Sequence, residues 1–263
     1  MSKKNSIIFE HLGQSGLFIK TKNLRILIDP YLSNSVEEID SNDLKRLIPI
    51  PYNPYELKEI DFVLITHNHL DHCDPNTIPQ IFSNNPNVKF IGPSPVRKLL
   101  KKWGIPKESI LRPSLNKIKL DHETYLNPVP AAHPQISYDI DNIPNCLGWL
   151  LEIYSKRIYV AGDTSLCEEL IDFMRKFNPI DIALLPVNED NFYRRKRGIV
   201  GNMSIREAFQ FAIDINIKKL VPVHWDLFEA NSVSPDEIKA VFNHHNELPF
   251  DLVMNINDLS IQW

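Results

Sequence analysis

Three histidines and an aspartate lie within six residues of one another, directly after a short apolar run. The run Phe62-Val63-Leu64-Ile65 is followed by Thr66-His67-Asn68-His69-Leu70-Asp71-His72. This order predicts a buried strand whose end presents imidazoles and a carboxylate. Such ligands suit Zn²⁺, Mn²⁺ or Fe, and the lack of cysteine among them argues against a closed structural zinc site. A histidine-rich surface loop is the alternative interpretation.

Three further candidate ligands each follow an apolar stretch of their own. His133 comes after residues 126–132, Asp163 after residues 157–162 and His224 after residues 220–223. In sheets covered by helices, ligand sites lie beyond the carboxyl ends of strands, so we expect these side chains to converge on one site. A single histidine of this kind would more often cap an element or sit in the core, but the joint pattern favours a metal centre.

The order of the predicted elements indicates a layered α/β protein. Residues 7–10, 17–20 and 25–28 are predicted to form an antiparallel meander, and strands alternate with helices from Asp61 onward. We therefore predict an αββα sandwich of two packed mixed sheets with helices outside. Helix starts are predicted at Asp74-Pro75 and Ser94-Pro95, and at the capping boxes Ser165 with Glu168, Ser204 with Glu207 and Ser234 with Glu237.

The length of 263 residues allows a substantial core. We predict a single domain over residues 1–263, composed of two halves at roughly 1–140 and 141–263. The candidate ligands come from both halves.

The composition and charge limit which classes of binding partner we expect. The formal net charge is −4, so we expect neither nucleic acid nor an anionic membrane as partner. No apolar stretch approaches the ~20 residues of a bilayer span, and the first residues lack the apolar region of a secretory signal. Three widely spaced cysteines fit reduced thiols. We expect a cytoplasmic protein, and the sequence leaves open whether it forms a homo-oligomer.

The first motif also carries a family resemblance. His67-Asn68-His69-Leu70-Asp71-His72 has the HxHxDH signature of the metallo-β-lactamase superfamily, which the chain resembles over essentially its whole length. Within that superfamily it is similar to the L-ascorbate-6-phosphate lactonase group. The segments that carry this second similarity are Leu185-Pro186-Val187-Asn188, Tyr193-Arg194, Gly201-Asn202-Met203 and residues 222–228.

The resemblance implies one or two divalent metal ions, Mn²⁺ or Zn²⁺, and a metal-bound hydroxide that attacks the substrate. One ion would be held by three histidines and a second by two histidines and Asp71, with Asp163 bridging them. Asp71 would also orient the hydroxide or pass a proton to the leaving oxygen. The implied ligands are His67, His69 and His133 for the first ion, and Asp71, His72 and His224 for the second.

Four other residues are candidate contacts. We predict that Asp29, at the end of an early strand, accepts a hydrogen bond from a ligand imidazole; capping the Pro30 turn is an equally good interpretation. The resemblance also implies that Tyr193, Arg194 and Asn202 contact a small anionic, phosphorylated substrate, and an arginine fork binds phosphate in a bidentate manner. The basic run 194–197 could equally be a solvated loop.

The leading functional prediction is hydrolysis of a phosphorylated sugar lactone or a related ester. A phosphodiesterase or nuclease of the same fold is the first alternative, because the same chemistry attacks phosphorus. A non-catalytic sensor of a metal or metabolite is the second alternative.

Overall fold

The computed structural model describes residues 6–114, 116–245 and 247–262. Contacts between residues divide the chain into two compact units. The first unit comprises Met1–Arg112 and Asn255–Trp263, and the second comprises Pro113–Met254. The prediction of a single domain over residues 1–263 is not tested by this division and stays a prediction.

The first unit contains a seven-stranded mixed sheet. Its strands are β1 (Ser6–Gly13), β2 (Gly16–Lys20), β3 (Arg25–Ile28), β4 (Phe62–Leu64), β5 (Lys89–Ile91), β6 (Ile110–Leu111) and β14 (Ser260–Gln262). The order across the sheet is β14-β1-β2-β3-β4-β5-β6. Pairing is antiparallel from β14 to β3 and parallel from β3 to β6. The predicted antiparallel meander at the start of the chain is confirmed.

The second unit repeats this topology. Its strands are β7 (Ile118–Lys119), β8 (Thr124–Pro130), β9 (Leu147–Ile153), β10 (Lys156–Val160), β11 (Ile182–Pro186), β12 (Lys219–Val223) and β13 (Asp251–Leu252). The order is β13-β12-β11-β10-β9-β8-β7, antiparallel from β7 to β10 and parallel from β10 to β13. Each unit thus contains three antiparallel and three parallel pairings in the same succession.

In the part of the chain that the structure describes, six α-helices and several single helical turns connect these strands. The α-helices are α1 (Ile78–Asn84), α2 (Ser94–Lys102), α3 (Glu168–Arg175), α4 (Phe192–Lys196), α5 (Ile205–Asp214) and α6 (Pro235–His244). The single turns are Val36–Asp40, Pro54–Glu56, Lys107–Ser109, Glu229–Asn231 and Ile256–Asp258.

The predicted helix starts have mixed outcomes. The capping box of Ser204 with Glu207 is confirmed in full at the start of α5. Ser234 does cap α6, but its hydroxyl accepts from the N–H of Asp236, so the predicted box with Glu237 is wrong. The box at Ser165 is also wrong, because the N–H of Ser165 donates to Ala132 O at 2.7 Å in extended pairing and α3 begins only at Glu168.

The other two predicted starts are displaced. α2 begins at Ser94 itself, one residue earlier than the cap assignment implies. α1 begins at Ile78, whereas Asp74 supports the preceding turn by accepting from the N–H of Asn76 at 2.9 Å.

Each unit has an apolar core of its own. In the first, Val63 and Ile65 pack with α1 and α2, and in the second the helices α3, α5 and α6 cover the sheet around Leu185. Cys73 is fully buried in the first core, and burial raises the pKa of its thiol. A thiol in that environment is not a nucleophile near neutral pH. Within the described ranges, none of the helices has the length and hydropathy that a bilayer span requires.

Candidate metal centre

In the first unit, the histidine motif occupies the turns between β4 and α1. The carbonyl oxygen of His69 accepts hydrogen bonds from the N–H groups of His72 and Cys73, at 3.1 and 2.7 Å. This tight turn brings the rings together, with centroid distances of 4.5 Å for His67 to His69 and 4.2 Å for His67 to His72. Ligand atoms of those two pairs, and of Asp71 with His72, lie within 4.8 Å of each other. His67 and His72 are buried, and His69 is exposed.

Asp29 organises this motif from the end of β3. Its Oδ2 lies 2.8 Å from Nδ1 of His72, and its Oδ1 accepts from the N–H of Thr66 at 2.8 Å. Because an ionised carboxylate only accepts, the ring of His72 must carry its hydrogen on Nδ1. The lone pair of His72 is then on Nε2. The predicted role of Asp29, as the acceptor for an imidazole that ligates a metal, stays a prediction.

Thr66 determines in the same way which ring nitrogen of His67 carries the hydrogen. Its hydroxyl donates to Oδ2 of Asp29 at 2.6 Å and lies 3.0 Å from Nδ1 of His67. A hydroxyl has one hydrogen, so with that hydrogen on Asp29 it can only accept from the N–H of His67. His67 therefore also presents the lone pair of Nε2. A single buried carboxylate thus fixes the donor atoms of two candidate ligands.

Gln14 is a contact that the sequence did not reveal. Its Nε2 donates to Oδ2 of Asp71 at 2.6 Å, across 57 residues of sequence. Gln14 lies in the turn between β1 and β2, is buried, and has a φ of 57°. The amide holds the Asp71 carboxylate near Nε2 of His72, which is 3.7 Å from the same oxygen. The sequence shows only that Gln14 lies between the predicted strands 7–10 and 17–20.

In the second unit, Asp163 lies between two histidines. Its Oδ2 is 3.2 Å from Nε2 of His224 and 3.7 Å from Nε2 of His133. The three side chains are nearly completely buried, with exposures of 4%, 3% and 1%. A buried carboxylate oxygen that faces two imidazole nitrogens is a donor set suited to a divalent cation.

Backbone contacts fix the strand ends that bear these residues. The hydroxyl of Thr164, next to Asp163, accepts from the N–H of Ala132, next to His133, at 2.9 Å. The N–H of Ser165 returns a bond to Ala132 O. His224 follows β12 with a φ of 63°, a left-handed conformation that is uncommon for a residue with a Cβ and that surrounding structure must maintain.

Arg194 and Asn202 are buried, with exposures of 9% and 2%. The guanidinium of Arg194 donates to three backbone carbonyls, and the side-chain N–H of Asn202 donates to Oδ1 of Asn188 at 2.9 Å. Tyr193, in contrast, is 76% exposed. The predicted substrate contacts of these three residues are not tested by this geometry and stay predictions.

Comparison with known proteins places the chain in the beta-lactamase superfamily. A family model described as a beta-lactamase superfamily domain matches residues 24–225. An uncharacterized protein of Mycobacterium bovis is 27% identical over 219 residues, which cover 82% of this chain and 58% of that protein. The probable L-ascorbate-6-phosphate lactonase UlaG of Salmonella heidelberg is 28% identical over 210 residues, which cover 75% of this chain and 58% of the lactonase. The matches thus span less than two thirds of the length of either relative.

A solved structure provides the comparison of fold. The metallo hydrolase Igni18 from the archaeon Ignicoccus hospitalis superimposes with a TM-score of 0.68 at 19% identity, covering 98% of both chains. At that identity the likeness concerns the fold alone. The predicted α/β fold of the metallo-β-lactamase type, with two mixed sheets and helices, is confirmed.

Proposed function

This chain belongs to the beta-lactamase superfamily, and on that premise we propose that it is a metal-dependent hydrolase of a small phosphorylated lactone or a related ester. The observation that carries the proposal is the network of Asp29 and Thr66, which leaves the lone pairs of His67 and His72 on Nε2. Networks of this kind are typical of histidines that ligate metals.

We propose seven side chains as ligands of one or two divalent ions, Mn²⁺ or Zn²⁺. Imidazoles and carboxylates without thiolates suit either ion and fit a catalytic rather than a structural site. When bound, the ions supply Lewis-acid activation of water and of the scissile carbonyl. The proposed ligands are His67, His69, Asp71, His72, His133, Asp163 and His224.

Two carboxylates have further roles in this proposal. Asp71, held through Oδ2 by Gln14, orients the attacking water or transfers the proton of that water to the leaving oxygen. Asp163 faces the Nε2 atoms of His133 and His224 and neutralises part of the positive charge at the centre. Asp29 does not bind the metal; it accepts from the Nδ1–H of His72.

The substrate class rests on relatives and motifs. The similarity to the Salmonella protein named as a probable L-ascorbate-6-phosphate lactonase supports a sugar lactone that bears a phosphate. We propose that Tyr193 lines the substrate entrance, because its ring is exposed. Arg194 and Asn202 stay proposed substrate contacts, although both are buried.

The test is a parallel assay on one metal-analysed sample. Protein loaded with Mn²⁺ or Zn²⁺ is assayed against a phosphorylated lactone, the same lactone without phosphate, and a bis-phosphodiester. The proposal predicts that the phosphorylated lactone is hydrolysed with the highest kcat/KM. Preferred turnover of the bis-phosphodiester would contradict it and favour a phosphodiesterase, and metal binding without any turnover would favour a sensor.

A further inference from the structure

Three buried asparagines of the second unit form a hydrogen-bonded row that ends on His224. Nδ2 of Asn202 donates to Oδ1 of Asn188 at 2.9 Å, and Nδ2 of Asn188 donates to Oδ1 of Asn231 at 2.9 Å. Nδ2 of Asn231 lies 3.2 Å from Nδ1 of His224. The asparagines are 2%, 0% and 8% exposed in that order. We call these residues the asparagine row.

Backbone contacts around Gly201 fix the position of Asn202, at the end of the asparagine row that is farthest from His224. Asn202 donates from its N–H to Asn188 O at 3.1 Å, and its own carbonyl accepts from the N–H of Asp190 at 3.1 Å. A Cβ on Gly201 would lie 2.2 Å from Cα of Asp190, so only glycine permits this approach. The two chain segments therefore hold the amides of Asn188 and Asn202 side by side.

Arg194 fixes the segments that bear the other two asparagines. Its Nη1 donates to Glu189 O at 2.6 Å, and its Nη2 and Nε donate to Ser232 O at 3.0 Å and Ala230 O at 3.5 Å. These carbonyls belong to the neighbours of Asn188 and Asn231. Burial lowers the pKa of the guanidinium. One side chain thus ties both ends of the Asn188–Asn231 hydrogen bond.

We propose that Asn231, supported by Asn188, Asn202 and Arg194, is the positioning residue that directs Nε2 of His224 to a metal ion. The inference rests on the proposed function, since it takes His224 as a ligand. Asn231 has for His224 the role that Asp29 has for His72: it fills the Nδ1 side of the ring and thereby defines the other nitrogen as the ligand.

The chemistry requires a particular direction of the row. A neutral imidazole that binds metal through Nε2 carries its hydrogen on Nδ1, so its partner must be an acceptor. An amide can turn either its oxygen or its nitrogen to the ring with little change of shape. The metal-bound direction is therefore His224 Nδ1–H to Asn231 Oδ1, Asn231 Nδ2 to Asn188 Oδ1, and Asn188 Nδ2 to Asn202 Oδ1.

The structure has the opposite direction of the hydrogen bonds in the asparagine row. In that direction, too, each ring nitrogen of His224 faces a suitable partner. With Nδ1 of His224 accepting from Asn231, the hydrogen lies on Nε2, which is 3.2 Å from Oδ2 of Asp163. The whole row can reverse by flipping three amides in place. Metal binding would select one of these two hydrogen-bond directions.

Two substitutions of Asn231 separate positioning from a merely structural role. Asn231→Asp keeps an acceptor for His224, whereas Asn231→Leu removes it at similar size. We expect zinc affinity, measured by competition with a chelator, to fall about 10–100-fold in Asn231→Leu and to stay close to wild type in Asn231→Asp. The free energy of unfolding of the metal-free protein should follow a different order, since a buried carboxylate makes Asn231→Asp the least stable.

Three further readouts cover the case in which Asn231→Leu does not fold. Asn202→Ala, at the far end of the row, should weaken zinc binding less than Asn231→Leu but in the same direction. Nitrogen-15 NMR of the His224 ring should report hydrogen on Nδ1 in the zinc-bound wild type. Arg194→Ala should weaken zinc binding, with partial recovery in Arg194→Lys, because a point charge reaches fewer carbonyls than the fork does.

Unchanged zinc affinity in Asn231→Leu or in Asn202→Ala would overturn the inference while leaving the proposed function intact. An affinity order that simply follows the stability order would also overturn it, because a structural residue gives that result. Failure of the wild-type protein to bind either Zn²⁺ or Mn²⁺ would instead overturn the proposed function, and the inference with it.

Discussion

Oδ2 of Asp29 lies 2.8 Å from Nδ1 of His72, and both side chains are completely buried. The same carboxylate accepts from the N–H and the hydroxyl of Thr66. Asp29 has a φ of 43°, so the chain maintains an uncommon backbone conformation at the position that organises the motif. We therefore predict that the carboxylate of Asp29 affects metal affinity by orienting the imidazole of His72.

Replacing Asp29 with asparagine tests this relationship. An amide has only one acceptor atom for three donors, so Asp29→Asn should lower metal affinity about 10–100-fold and destabilise the protein by about 1–3 kcal/mol. Chelator competition and chemical denaturation of the metal-free protein measure the two effects. Asp74→Asn is the matched control, since Asp74 is also buried but supports the turn before α1. It should lower stability and leave the affinity unchanged; equal affinity losses in both variants would show that Asp29 acts only through the fold.

His69 tests the ligand set with little risk to the fold. Its ring is exposed, so His69→Ala should leave the unfolding free energy within about 0.5 kcal/mol of wild type. We expect it to remove most of the bound metal and the hydrolytic activity, because the histidine supplies a coordinating nitrogen. Metal analysis after gel filtration measures this. His244→Ala, another exposed histidine, is the control and should retain wild-type metal content; His69→Ala with that same content would exclude His69 as a ligand.

Gln14 should affect turnover more than metal content. Gln14→Met removes the donor to Asp71 at nearly constant volume, so the carboxylate loses its orientation. We expect kcat to fall about 10–100-fold, as is typical when a hydrogen-bond partner of a metal-site residue is removed, while metal content stays near wild type. Gln210→Met removes the same type of hydrogen bond at the surface, where Gln210 donates to Asp214, and serves as the control. An unchanged kcat in Gln14→Met would separate Gln14 from catalysis.

Asp181 gives a prediction about pH. Burial alone would raise the pKa of Asp181, but the N–H of Arg157 and the ammonium of Lys218 lower it below the ordinary value. A lowered folded-state pKa contributes stability above the unfolded value of about 3.9, and this contribution is lost as the pH falls through the folded-state pKa. Asp181→Asn should therefore be less stable than wild type at pH 7.

The difference in unfolding free energy between Asp181→Asn and wild type should shrink as the pH falls below about 4. Denaturation curves of the metal-free proteins at a series of pH values measure it. Asp172→Asn, which removes an exposed partner of Arg175, should differ little from wild type at any pH. A constant difference for Asp181→Asn across the series would contradict the assigned pKa direction.

Much of the candidate site could be predicted from the sequence because its residues stand at strand ends. Asp29 follows β3, the histidine motif follows β4, and His224 follows β12. An apolar strand followed by a polar residue is a pattern that can be recognised locally in the sequence. Because ligand sites lie beyond the carboxyl ends of strands, the pattern also indicates where that polar residue lies in the sheet. The same rule places Asn188 after β11.

The contacts that the sequence did not predict depend on loops. Gln14 and Asn231 act through side-chain amides whose partners are set by turn geometry and rotamers, which no local periodicity encodes. Ser165 has the pattern of a capping residue, but tertiary pairing with Ala132 takes its N–H and keeps the chain extended. Arg194 matches a phosphate-binding pattern, and only the structure reveals the three carbonyls that surround it.

The most direct test of the account is a metal titration of the stripped protein with turnover measured at each step. Protein freed of metal by a chelator is titrated with Mn²⁺ or Zn²⁺, and hydrolysis of a phosphorylated lactone is followed together with bound metal per chain. We predict no turnover without metal, and a rate that rises with occupancy and levels off at one or two ions per chain. Turnover that is independent of bound metal, or failure of the wild-type protein to bind either ion, would contradict the account.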